Sequence, residues 1–312
     1  MMDKHRKPHI IVVGSINMDI VNRVKRYPEA GETIHGLGTE YSPGGKGANQ
    51  AVAASLAGGA VQMIGAVGSD PFGAELTASL QRFGVDTSRV MTKGGTSGLA
   101  FITVTDEGEN SIILSAGANG QVTVDDLDRL FEAGEGDFIL LQNEIPWAST
   151  RQAMRMASAR GATVILNPAP AIAEASQVLS LADVVVLNET EAEEISGVAV
   201  TEEAAAGQAA DRLIAGGAKA VLLTLGEHGS LYVDAQGERV RTPAFKVKAV
   251  DTTAAGDTFI GAFAASGGDG LPLAERLRFA AAAAALAVTR QGAQASIPQR
   301  AEIEAFLATG CE

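Results

Sequence analysis

The sequence predicts an α/β fold built on a mostly parallel central sheet, and three observations predict it. Short, continuous apolar runs recur along the chain. Stretches of helical length separate them. Two segments, at about 17–43 and 97–116, break the rhythm with extended, glycine-containing sequence. Apolar runs without alternation suit strands covered on both faces, as in parallel sheets. Strands alternating with helices imply right-handed βαβ units, whose ligands sit beyond the carboxyl ends of the strands.

The first run covers 10–13 and stops at Gly14; runs at 61–66, 138–141, 163–166, 184–187 and 220–224 repeat it. Helices are expected over 48–56, 74–83, 149–159 and 202–214, and then over 257–265, 274–289 and 301–307. A short β region, 231–233 and 239–247, precedes those last helices. The segment 20–41 carries Gly31, Gly36 and Gly38 and no good helix, while 99–104 and 111–114 flank Asp106-Glu107-Gly108-Glu109 as a hairpin. These two inserts form either a small separate sheet, acting as a lid over a cleft or as a dimer contact, or edge strands of the main sheet.

At 312 residues, 46% hydrophobic and 20% charged, the chain can bury a sizeable core. Its net charge of -13 argues against nucleic-acid and anionic-membrane partners. An anionic ligand would need local positive potential from helix ends, a bound cation or a few basic side chains. The single cysteine, Cys311, allows no intrachain disulfide and suits a reducing cytoplasm. From His5, His9, His35 and His228 no transition-metal site is expected. The run at 10–13 after the basic opening is too short for a signal peptide, and the Ala-rich stretch 280–288 is about half a membrane span. A soluble protein is expected.

Six segments carry chemistry. Gly14-Ser15-Ile16-Asn17-Met18-Asp19 places Asn17 and Asp19 on one side of an extended backbone, where they grip vicinal hydroxyls or belong to an ordinary loop. Pro43-Gly44-Gly45-Lys46-Gly47-Ala48-Asn49-Gln50 brings backbone near a ligand with a point charge and an amide, or is a Gly-rich turn entering a helix. It has neither Walker A nor Rossmann spacing. Gln142-Asn143-Glu144 ends the run at 138–141, with Glu144 as a cleft residue or a solvated one. Asn188 and Glu191, three apart, suit a water-rich Mg²⁺ site or a helix start. Thr224-Leu225-Gly226-Glu227-His228-Gly229 admits a nucleotide or makes a tight turn. Finally Asp251-Thr252-Thr253-Ala254-Ala255-Gly256-Asp257 opens an apolar helix with small residues and a carboxylate. Backbone N–H groups there can cradle an anion, and Asp257 can take a proton from an attacking hydroxyl or serve as a helix cap.

In this order these segments, with Ala287-Val288-Thr289-Arg290-Gln291-Gly292-Ala293, resemble the ribokinase family of sugar kinases over about 10–307. The first two motifs together point to ribose among the family's substrates. The resemblance implies a three-layer sandwich, a single domain over 1–312 with a β lid from the inserts at about 17–43 and 97–116, and ATP-dependent phosphorylation of the sugar at O5. It implies that Asp257 is the general base and that the amides of Ala254 to Gly256 form the anion hole. The sugar would be held by Asn17, Met18, Asp19, Gly45, Lys46, Gly47, Ala48, Asn49 and Glu144. The nucleotide would lie against Asn188, Thr224, Leu225, Gly226, Glu227, His228, Gly229, Ala255 and Gly256. Glu191 would order the water shell of Mg²⁺. A K⁺ loop would draw on Asp251 and Ser296 with main-chain carbonyls near Thr253, Ala287, Arg290 and Gly292. Ala281 departs from the polar residue that some relatives turn toward adenine. A homodimer through the lid is implied as well. Deoxyribose, a ketohexose, a sugar acid or a nucleoside are alternative substrates, and a non-catalytic sugar-binding regulator is the alternative class.

Overall fold

The apolar runs become strands of a nine-stranded sheet in the computed structural model, which describes residues 8–200 and 203–310. His5 and the basic opening, Glu202 and Cys311 lie outside the described residues. The first part of the chain forms β1 (His9–Val13), β2 (Asn17–Val24), β3 (Gly38–Gly44), α1 (Lys46–Leu56), β4 (Ala60–Gly68), α2 (Pro71–Arg82) and β5 (Asp86–Lys93). A hairpin, β6 (Gly98–Thr105) and β7 (Asn110–Ser115), leads to α3 (Val124–Leu130). Then come β8 (Phe138–Leu141), α4 (Trp147–Ala159), β9 (Thr163–Leu166), β10 (Val184–Leu187), α5 (Glu189–Ser196), α6 (Glu203–Ala215) and β11 (Ala220–Thr224). The antiparallel strands β12 (Ser230–Asp234) and β13 (Arg239–Thr242) precede α7 (Ala255–Ser266), α8 (Leu273–Ala287) and α9 (Arg300–Ala308).

The large sheet runs β13-β12-β11-β10-β9-β8-β1-β4-β5. It is parallel from β11 to β5, and β12 and β13 return antiparallel at one edge. Alternate residues of each strand enter different cores. Ile10 and Val12 pack with α1, α2, α7, α8 and α9, whereas Ile11 and Val13 pack with α3, α4, α5 and α6. The three layers expected from the family resemblance are therefore present. The two inserts form a separate four-stranded sheet, β3-β2-β6-β7, rather than edge strands of the main one.

Several boundaries differ from the sequence reading for physical reasons. The strand expected over 239–247 ends at Thr242, because Pro243 has no N–H to give the ladder. β5 was unread: it is an edge strand of mixed polarity, half-covered rather than buried. α7 begins at Ala255, so Asp257 is its third residue.

Two glycines set the position of α1. A Cβ on Gly47 would lie 2.6 Å from Ser15 N, and one on Gly261 would lie 2.7 Å from Gln50 O. Only glycine lets α1 sit backbone-to-backbone against the end of β1 on one side and α7 on the other.

α3 is short, and a cap secures it. Thr123 and Asp126 bond reciprocally as a capping box, and Asp126 also accepts from Lys93 Nζ at 2.7 Å and Arg129 at 2.7 Å. Burial pushes the Asp126 carboxyl up, but hydrogen bonds from Lys93 and Thr123 outweigh this and hold it well below the usual carboxylate range. A depressed folded value stabilises above the unfolded one, about 3.9, and that stabilisation is lost as pH falls through the folded value. Asp126→Asn is expected to cost about 1–3 kcal/mol in urea unfolding at pH 7, and the gap to the parent should shrink below about pH 4.

Candidate active site

The turn before α7 is the most constrained backbone of the site. Ala254 sits at φ 60°, in the left-handed region, at a cost of roughly 1–2 kcal/mol for a residue with a Cβ. That turn points the helix start into a cavity of about 210 Å³. Asp257, 8% exposed, is not a cap. Its Oδ2 accepts from Asn49 Nδ2 at 3.0 Å and its Oδ1 from Gln50 Nε2 at 3.0 Å. Lys46, Asn49 and Gln50 are spaced i, i+3 and i+4 on α1, so one helix face meets the carboxylate.

A second polar group lies where β1 gives way to β2. Glu144 Oε2 accepts from Ser15 Oγ at 2.5 Å, Asn17 Nδ2 at 3.3 Å and Lys46 N at 3.3 Å. Asn119 orients Asn17: its Nδ2 donates to Asn17 Oδ1 at 2.6 Å, while its own side chain brackets the N–H and carbonyl of Ile16 at 3.0 and 3.1 Å. Asp19 lies over Gly44, where a Cβ would come within 2.1 Å of its Oδ2. Burial, then the carboxylates of Glu144 and Asp257, push Asp19 up to about 7. Burial pulls Lys46 down, but Asp257, Glu144 and Glu191 outweigh it and keep the ammonium above its ordinary value.

The cavity wall opposite Lys46 comes from the ends of β10 and β11. Asn188, Glu191 and Thr224 line it with 254–257. Asn188 and Glu191 also cap α5 reciprocally, through Glu191 N to Asn188 Oδ1 at 2.8 Å and Asn188 N to Glu191 Oε2 at 3.0 Å. A helix start and a lining pair are thus the same residues. The cavity and the polar group around Glu144 meet at Lys46 and Asp257.

A family model described as pfkB family carbohydrate kinase matches residues 7–300. The chain belongs to the pfkB family of carbohydrate kinases. A ribokinase of Schizosaccharomyces pombe is 43% identical over 307 residues, spanning 95% of this chain and 96% of that one. A ribokinase of Haemophilus influenzae is 41% identical, covering 96% and 98%. The solved structure of an Arabidopsis thaliana ribokinase complexed with ribose and ATP superposes with a TM-score of 0.87 at 33% identity, covering 97% and 99%. The protein is accordingly a sugar kinase, an ATP:sugar phosphotransferase.

Within this kinase, the structure brings Asn17, Asp19, Lys46, Asn49, Glu144 and Asp257 around one cleft. Gly45, at φ 91°, and Gly47 contribute close backbone. Met18 and Ala48 are fully buried in the apolar core, so only their backbone can face a ligand. Asn188, Thr224, Ala255 and Gly256 line the cavity, whereas Leu225, Gly226, Glu227, His228 and Gly229 lie outside its wall. Gly229 packs against Thr242 O, where a Cβ would lie 2.1 Å away. Of the 254–256 amides, Ala255 N already donates to Thr252 O at 3.2 Å, which leaves Ala254 N and Gly256 N at the helix start. Asp251 is gripped by Thr253 N at 2.9 Å and Gly292 N at 2.9 Å, so 251–253 and 288–292 adjoin. Ser296 Oγ donates to Ala293 O, and the Arg290 side chain pairs with Glu302. Ala281 packs against the core. Ser15, Gln50, Asn119, Gln142 and Asn167 receive no role from the sequence, although Ser15, Gln50 and Gln142 stand inside the motifs quoted.

A raised folded value at Asp19 means that stability falls as pH climbs from about 4 toward 7, because the folded state holds a proton that the unfolded state releases. Asp19→Asn should therefore stabilise the protein by about 1–3 kcal/mol at pH 8 and by little at pH 4, measured by thermal melts across that range.

Proposed function

We propose that this kinase transfers the γ-phosphoryl group of ATP to O5 of D-ribose, giving D-ribose 5-phosphate and ADP, with Asp257 as general base. One observation carries the reading. A carboxylate in the first turn of a helix stands between a cavity entered by that helix start and a set of hydroxyl-binding groups, Asn17, Asp19, Asn49 and Glu144. Close relatives of this length that are ribokinases support ribose as the sugar.

Asp257 accepts the proton of the primary hydroxyl as that oxygen bonds to the γ-phosphorus. The bond from phosphorus to the β,γ-bridging oxygen breaks, and ADP leaves. Because the transition state is loose, positioning and charge stabilisation do most of the catalysis. Asn49 gives Nδ2 to Asp257, and its buried Oδ1 has no partner, so it can accept from a sugar hydroxyl. The Gly256 amide and the Lys46 ammonium supply positive potential for the phosphates.

Glu191 would order the water shell of Mg²⁺, and Asp251, Ser296 and carbonyls near Thr253, Ala287, Arg290 and Gly292 would hold K⁺; the two cations would supply charge neutralisation at the phosphates and beside the anion hole. The donor sets fit hard cations. Burial pushes Asp251 up, but hydrogen bonds from Thr253 and Gly292 hold it below the usual range, so it is ionised near neutral pH. The small sheet would be the lid of a single domain. Its exposed apolar residues Tyr41, Phe101 and Ile113, which lie in one cross-strand row, would pack against a second copy in a homodimer. Among the described residues no helix is long and apolar enough to cross a membrane, and a single cysteine suits a cytoplasmic site.

An ADP-release assay with Mg-ATP and a sugar and nucleoside panel tests the substrate. Turnover should be strongest on D-ribose and fall when K⁺ is withdrawn; turnover on another sugar alone overturns the ribose assignment. Asp257→Asn should lower kcat by about 10²- to 10⁴-fold, and undiminished turnover would remove the base. Ile113→Asp should shift the sedimenting species from dimer to monomer, and an unchanged dimer would move the interface off the lid.

A further inference from the structure

We propose that Gln50, with Gln142 behind it, is a positioning residue that fixes the plane of the Asp257 carboxylate. The proposal rests on the reading of Asp257 as the base. Gln50 is fully buried on α1 and is not among the residues that line the cavity. Its Nε2 donates to Asp257 Oδ1 at 3.0 Å and its Oε1 accepts from Gln142 Nε2 at 2.6 Å. Asn167 Oδ1 also lies 3.5 Å from Gln50 Nε2, while Asn167 Nδ2 reaches Val186 O at 3.0 Å.

The direction of every amide in this chain is dictated from one end. An ionised carboxylate only accepts, so Gln50 must turn its NH₂ toward Asp257. That leaves its carbonyl facing Gln142, which must answer with its own NH₂. Gln142 Oε1 then has no donor: it is buried, unpartnered and pressed on Gly14, where a Cβ would lie 2.0 Å from it. A buried acceptor left unpaired lowers stability, so two apolar side chains of this length would serve stability better. What the amides provide instead is orientation. The terminal torsion of an aspartate is broad, so packing alone does not fix its carboxylate plane. Asn49 holds Oδ2 but stands on the sugar side of the carboxylate. Gln50 holds Oδ1 from the protein interior and touches no ligand, which makes it the fixed anchor while Asn49 serves the substrate.

Gln50→Met, Gln142→Met and the double variant test this, each compared with Asp257→Asn in the ADP-release assay with D-ribose and normalised to folded protein. Gln50→Met should lower kcat about 10- to 100-fold while both KM values stay within about 3-fold, as loss of a transition-state alignment requires. Its solvent deuterium isotope effect on kcat should rise above the parent's, which a defect of packing alone would not produce. Gln142→Met should move the same parameters by about 3- to 10-fold, and the double variant should be no worse than Gln50→Met, because the amides act as one unit. A kcat within about 2-fold of the parent, a loss confined to KM, or losses that multiply would overturn the proposal. If Gln50→Met does not fold, Gln142→Met decides: unchanged kcat overturns it. Full turnover in Asp257→Asn would instead remove the base itself; an inactive Asp257→Asn beside a normal Gln50→Met removes only the anchor.

Discussion

The close seating of α1 is the constraint on which the rest of the site depends. Its first turn lies against Ser15 through Gly47, and its third turn meets α7 at Gly261, whose missing Cβ leaves room for Gln50 O and the Ala53 methyl. With both contacts in place, the helix face carrying Lys46, Asn49 and Gln50 has one orientation, toward the first turn of α7. Asp257 and Gly261 are four apart on α7, so the residue that permits the approach and the residue that uses it share a face. Any side chain at Gly261 would push α1 outward and open the distance on which both Asp257 hydrogen bonds depend. Packing at the helix crossing and geometry at the carboxylate are therefore one property of the fold.

Charge is the second constraint. Asp257, Glu144 and Glu191 surround the ammonium of Lys46, and Asp19 adjoins the first two, in a chain of net charge -13. Such a site repels phosphate unless the protein concentrates its few positive groups where the phosphate will lie. In the proposed mechanism the start of α7 would do this without a formal charge, since the first N–H groups of a helix have no internal acceptor and its dipole favours an anion. The surrounding acids keep Lys46 protonated despite its burial. Burial, and then the charges of Glu144 and Asp257, make Asp19 resist ionisation, so this acid is kept in the cleft at the expense of stability, a trade found where function and folding compete for one residue.

Much of the scaffold was legible in the sequence, and the reason lies in burial. β8, β9, β10 and β11 fall on the residues that the apolar runs mark, because strands covered on both faces admit little but Val, Ile and Leu. β5 and α3 were illegible for the opposite reason: one is a half-covered edge, and the other is a single short helix held by Thr123 and Asp126 rather than by an apolar stripe. In the site, the Gly-rich motif and the turn at 252–257 were readable from spacing, since backbone approach demands small residues at fixed offsets. Asn119, Gln142 and Asn167 carry no such signal. Asn119 meets Ile16 across 103 positions and Gln142 meets Gln50 across 92, so only the sheet order makes them neighbours.

The small sheet joins the main layers at places that are themselves part of the site. The chain leaves β1 through Ser15 and Ile16, and Asn119 brackets Ile16 as soon as the hairpin strands have returned. The same Asn119 amide sets Asn17, and Gly98 must lack a side chain because a Cβ there would lie 2.2 Å from Asn17 Oδ1. On the far strand, Asp70 caps α2 and also accepts from Ser97 N at 2.9 Å and Ser97 Oγ at 2.6 Å, which ties the start of β6 to the main layer. Both pinned points lie at one end of the β2–β6 pair, where Asn17 faces Gly98 in register. Asn17, at that pinned end, bonds both Asn119 and Glu144, so the root of the small sheet and the floor of the cleft are held by one set of side chains.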